Sequence, residues 1–201
     1  MTAISLCLAA CACFGILLAQ SWLPLRAGFL GAVMLVLGAC WLRAYWQRAL
    51  SPPEMSERCA LLSVAGTLVC LGYLSAKLYQ LGPELDIHTR AARMMAGDLW
   101  TLVAASVLIG WIARAPEATR DERDAMIAAR ALGFSGYALL ALQVVLIVWI
   151  SLAANGAGPG LSMAMLAHLF ICSWMLAHVL YGIHCTWAYT RMRALADVRH
   201  E

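Results

Sequence analysis

His168, Cys172 and Met175 recur at i, i+4 and i+7, a spacing that sets an imidazole, a thiol and a thioether on one helix face. That donor set suits Cu(I) or haem iron, so copper or haem are the cofactors to consider. His88, with Met94 and Met95, is the outside group that could approach it. His178 and Cys185 lie at the edge of the same arc but deeper, so one compact site does not use them all. The competing reading of such a face is packing, with its polar groups hydrogen-bonded to neighbouring helices. A second constellation is Gly133-Phe134-Ser135-Gly136 followed by His178 on a later helix. A hydroxyl with an imidazole base is the pairing that acyl transfer needs. A third is the run Arg120-Asp121-Glu122-Arg123-Asp124, in which Arg120 and Asp124 are i, i+4 partners. It reads either as a solvated helix face or as a docking surface for a protein partner or lipid headgroups.

The GxSG sequence with His178 resembles the rhomboid family of intramembrane serine proteases, which implies Ser135 as nucleophile and His178 as its base. In rhomboids another helix stands between the two, whereas here their helices are consecutive, and a Gly/Ser cluster also lets two helices approach closely. The stretch from about Gly97 to Arg193 resembles a group of small bacterial multi-pass membrane proteins. The resemblance rests on Asp121-Glu122-Arg123, on Gly136-Tyr137 early in the next helix, and on Tyr189 with Arg191 and Arg193 at the end of the last. It implies a bacterial inner-membrane location and a regulatory role, and no catalytic residues.

The elements that must position these groups are apolar helices. Of 201 residues 63% are hydrophobic and 12% charged, where a soluble domain carries about a quarter charged. Apolar runs of roughly 18 to 23 residues suffice to cross a bilayer core, and the alternation of a β-barrel strand is absent. The fold class is therefore all-α: one integral membrane domain over residues 1–201, with six transmembrane helices near 2–23, 26–47, 52–81, 97–114, 120–153 and 161–191. Ser51-Pro52-Pro53-Glu54 and Thr119 with Glu122 are the helix-start signals of the third and fifth helices. Pro24, Gly82-Pro83, Pro116 and the glycine-rich 155–160 turn separate the segments. Residues 84–96 read as an outer connection or short interfacial helix. Leu8-Ala9-Ala10-Cys11 matches a lipobox, but no basic residue precedes it, and an uncleaved first helix is expected.

Basic residues set the orientation. Ten of the fourteen (Arg43, Arg48, Arg58, Arg114, Arg120, Arg123, Arg130, Arg191, Arg193 and Arg199) fall on one side, against Arg26, Lys77, Arg90 and Arg93 on the other. Both termini are thus expected in the cytoplasm. Trp22, Trp100 and Trp149 mark outer helix ends and Trp41, Trp46, Trp111 and Trp187 inner ones, with Trp174 deep. The eight cysteines form no CxxC pair and imply no disulfide framework. A formal net charge of +3 without a basic patch and interleaved aromatics argues against nucleic acid. Ionisable groups or Gly/Pro breaks at mid-membrane mark transporters, and the middles of helices one to five carry none beyond Gly66, Gly72 and Gln143. The sequence favours a non-enzymatic accessory or regulatory module that binds a protein partner or a second copy. An oligomeric transporter or channel, a metal or haem protein, and a protease are the alternatives.

Overall fold

The structure, a computed structural model, describes residues 2–20, 26–49, 53–113, 121–155 and 160–198. It contains six helices: α1 (Thr2–Ala19), α2 (Ala27–Arg48), α3 (Met55–Leu81), α4 (Arg90–Ala113), α5 (Glu122–Ala154) and α6 (Met163–Val198), and no strand among the described residues. Five of them, α2 to α6, are long and apolar enough to cross a membrane. The apolar part of α1, Ser5–Ala19, is shorter. The protein is a helical bundle of membrane-spanning composition.

α3 is the hub, packing on α1, α4 and α6, while α2 lies on α4 and α5 on α6. Levels can be read from paired residues. Ser106 of α4 faces Gly66 of α3 and Asp98 faces Tyr73, so α3 and α4 are antiparallel. Gly182 abuts Ala60 and Val64 while Cys172, earlier in α6, bonds to Ser75, later in α3, so α6 also runs against α3. Asp124 meets Tyr189 and Gln143 meets Ser173, which sets α5 antiparallel to α6. Gly28 and Gly31 of α2 abut Asp98 and Leu102 of α4 in parallel order. Odd and even helices therefore run in opposite directions, and the start of α1 lies at the same end of the bundle as the finish of α6.

The α1–α3 seam is a backbone-to-backbone approach. A Cβ on Gly15 would collide with the Val69 carbonyl, and one on Gly72 with the Ala12 carbonyl. In lipid, where burial of apolar surface drives nothing, such small residues let helices gain van der Waals contact. Around this seam Leu18, Val69, Tyr73, Leu74, Met95 and Leu102 form the main core. A smaller cluster joins α2, α3 and α4 through Ala39, Leu62 and Ile109, and another joins α5 and α6 through Ile127, Ala131 and Tyr189.

Several helix ends differ from the sequence expectation. α1 ends at Ala19, and α4 begins at Arg90 rather than near 97, so the second half of the expected 84–96 segment is the first two turns of one continuous helix and its first half is a turn. Thr89 starts α4, its hydroxyl accepting from the Ala92 N–H at 3.2 Å. The N-cap of α3 is Glu54, with no side-chain bond, because the helix begins later than Pro52; Ser51 and Pro52 lie outside the described residues. Asp121 caps α5, accepting from the Asp124 N–H at 2.8 Å, two residues later than the expected Thr119, which also lies outside them. α6 begins at Met163 and continues to Val198, past the expected 191. Ser162 fixes its start: the hydroxyl accepts from Met165 N–H at 3.1 Å and donates to the Leu85 carbonyl at 2.8 Å.

Candidate functional site

The polar side chains gather at the two ends of the bundle. At one end the starts of α3 and α5 meet the last turns of α6. Asp124 is the centre: one carboxylate oxygen accepts from Ser56 Oγ at 2.6 Å, the other from the Tyr189 hydroxyl at 2.8 Å. Arg123 pairs with Glu54 across the same junction, and its Nε lies 3.8 Å from Asp121. Arg58 donates to the Pro53 carbonyl at 2.7 Å and lies over the Trp46 ring, 5.4 Å from its centroid. Arg43 reaches the Ile112 carbonyl at 3.0 Å, tying α2 to α4. Glu57, in the first turn of α3, is buried at a helix start, where the dipole favours an anion. The contacts of Asp124 and Arg123 form a clasp among three helices, α3, α5 and α6. Three of the five residues expected to bind a partner, Asp121, Arg123 and Asp124, are committed inside it. Glu122 stays exposed, and Arg120 lies outside the described residues.

The clasp was half legible. The charge knot is conspicuous in sequence, but its partners Ser56, Glu54 and Tyr189 are 65 to 69 residues away. Trp46, expected as an interface marker, is buried; Trp41, Trp111, Trp100 and Trp174 are exposed on the outside of the bundle.

At the opposite end Asp98 is buried, 8% exposed, and accepts from the Tyr73 hydroxyl at 3.1 Å; Tyr73 is fully buried. The sequence placed Asp98 at the first turn of its helix. With α4 starting at Arg90, it lies two turns inside. Gly28 lets α2 approach the Asp98 backbone, since an added Cβ would come within 2.5 Å of its Cα. Beside Asp98 lies a cavity of about 270 Å³ lined by Arg26, Arg90, Arg93, Met94 and Gly97. Lys77, at the same end, donates to Gln80 at 3.1 Å, away from that cavity.

The other sequence candidates are dispersed. His178 Nε2 is 2.8 Å from Ser63 Oγ of α3, while Ser135, buried against α6, donates to its own helix at the Leu132 carbonyl, 3.1 Å away. No hydrogen bond joins Ser135 to His178, so the dyad geometry is not assembled. Gly133 and Gly136 have open space where a Cβ would stand, so they do not face α6 as a packing patch would. His168 Nδ1 lies 2.7 Å from the Ala164 carbonyl. Cys172 lines an apolar crevice of about 460 Å³ with Leu78, Trp149, Leu161 and Met165. His88 stands in the exposed turn before α4. Among the described residues no three His, Cys, Asp or Glu side chains converge as a metal set would. Gln143 and Ser173, bonded at 2.6 Å, are an interhelical polar contact between α5 and α6.

α5 is the least covered element. No residue in its most apolar stretch is buried. Ala125, Ala129, Gly133, Tyr137, Ala141 and Val145 form an exposed i, i+4 row along it, small at the clasp end.

No family model, no curated protein and no solved structure matches this chain.

Proposed function

We propose that this chain is a non-enzymatic accessory module of the bacterial inner membrane, spanning it six times with both termini cytoplasmic, that binds the transmembrane helix of a protein partner. The observation that carries the reading is α5: a helix bonded at its start to α3 and α6 by the clasp, packed on α6, and otherwise presenting an uncovered row that begins Ala125, Ala129, Gly133. Small residues four apart are how membrane helices associate at close range. The clasp fixes the direction in which that row faces, because Asp124 bonds to α3 and α6 at once. The orientation follows from the basic residues concentrated at the clasp end. The nearby charge left exposed, Glu122, would lie at the rim of such a contact.

The test is affinity recovery from membranes of Ala129→Leu/Gly133→Ile beside the wild-type chain, with quantitative proteomics and a differently tagged second copy. Loss of one specific membrane protein by roughly tenfold, with insertion and yield unchanged, is the expected result. Loss of the second copy instead would assign the row to self-association. Unchanged recovery of both overturns the proposal.

A further inference from the structure

We propose that the cavity between Arg26 and the first turns of α4 is a binding site for a phosphate group, the chemistry presented by anionic lipid headgroups and by soluble phosphate compounds alike. The site is separate from the α5 row and from the clasp.

Three guanidinium side chains from two helices, Arg26, Arg90 and Arg93, line this one cavity of about 270 Å³. None of them has an acid within ion-pair distance among the described residues, where the pairs found belong to Arg123. The adjacent 21–25 segment, Ser-Trp-Leu-Pro-Leu, brings no acid in its sequence. Arginine's planar fork matches phosphate oxygens two at a time. Like charges gathered without a counter-ion repel one another, so an anion that neutralises them is bound favourably.

α2 begins beside the cavity, with Arg26 as its N-cap and no side-chain bond at that cap. Gly97, which has open space where a Cβ would stand, keeps the wall of the cavity low. The one acid on the lining, Asp98, is buried and its Oδ2 is engaged by Tyr73, so the cavity carries three cations against one carboxylate.

The level of the site points to a headgroup as the source. Trp100, 73% exposed, stands one residue beyond Asp98's neighbour Leu99, and exposed tryptophans mark the membrane interface. The α4 turns from Gly97 back to Arg90 lie about 5 to 15 Å beyond that level at 1.5 Å per residue, in the layer where lipid phosphates lie. Met94 on the lining is exposed, which suits the glycerol and upper acyl region below a phosphate.

The test uses the purified full chain in detergent with two arms. In the first, phosphatidylglycerol and phosphatidylcholine are added in equal amounts and retained lipid is counted by native mass spectrometry. The wild type is expected to hold phosphatidylglycerol in preference, with Arg26→Gln and Arg93→Gln each weakening retention roughly tenfold and the triple glutamine variant abolishing the preference. Lys77→Gln, a cation at the same end outside the cavity, is expected to change it within about twofold. In the second arm inorganic phosphate is titrated calorimetrically. Arginine-dependent binding of phosphate without a lipid preference supports the site with a soluble ligand. A triple variant that folds and retains phosphatidylglycerol like the wild type, or an equal loss in Lys77→Gln, overturns it. Should the triple variant not fold, the single variants decide by the same criteria.

Discussion

Where α3 and α5 begin, Asp124 accepts from Ser56 and Tyr189, and Arg123 pairs with Glu54. Where α2 and α4 begin, Arg26, Arg90 and Arg93 face a common cavity with no acid at ion-pair distance among the described residues. Both regions are helix starts at a membrane boundary, and both are rich in arginine. They differ in what the charges do. At the clasp, charges of both signs come from different helices and bond to one another, so the polar groups hold the bundle together. At the cavity, the cations come from the N-cap of α2 and from α4, which are already joined by the Gly28–Asp98 approach, and among the described residues no bond between helices uses them. Charge that is not spent on the fold is available to something outside it.

Breaking the clasp at its centre should have the largest effect. Asp124→Ala removes the acceptor of two charge-assisted hydrogen bonds and is expected to destabilise the chain by about 3 kcal/mol, read from thermal unfolding in detergent. Tyr189→Phe should cost about 1 kcal/mol, with a non-additive cycle against Asp124→Ala. Additivity of the two would mean that the Tyr189 bond contributes nothing.

The exception at the cavity end comes next. Tyr73→Phe leaves the buried Asp98 carboxylate without its hydroxyl donor and is expected to cost about 2 kcal/mol. A variant as stable as the wild type would show that Asp98 finds another donor, and the contrast between a bonded end and an unbonded one would have to be redrawn around it.

The smallest effects sharpen the comparison most. Arg123→Gln breaks an exposed pair and should cost less than about 1 kcal/mol. Arg26→Gln removes a cation with no acidic partner among the described residues and should leave stability within about 0.5 kcal/mol, while the clasp's Asp124→Ala does not. If removing Arg26 raised the melting temperature markedly, mutual repulsion among the three arginines would be the dominant property of that end.

The existence and type of the helices were readable from apolar runs of spanning length, and the breaks from Pro24, Gly82-Pro83 and the 155–160 turn. The periodicity of a run does not say where its first turn begins, so α4 was expected seven residues too late. That shift places Asp98 two turns inside α4 beside the cavity rather than at a helix end. Arg26, Arg90 and Arg93 were legible only as the poorer side of a charge asymmetry. Their convergence needs α2 and α4 to lie side by side, which no spacing along the chain encodes. Conversely, His168, Cys172 and Met175 do share one face of α6, yet a shared face supplies donors from a single helix, and their neighbours decide whether a site forms.

By itself, then, the order of residues determined the material of this protein: apolar helices, their approximate ends, and the excess of basic residues on one side. These are local properties, set by transfer energies and backbone chemistry over one or two dozen neighbouring residues. The tertiary structure alone decided that α3 is the hub, that Asp124 is a joint rather than a surface charge, and that three arginines share a cavity. Inside a bilayer nearly every apolar helix face is acceptable to lipid. Which faces meet is settled by close approaches such as Gly15 with Val69 and by a few interhelical hydrogen bonds, between residues far apart in the chain.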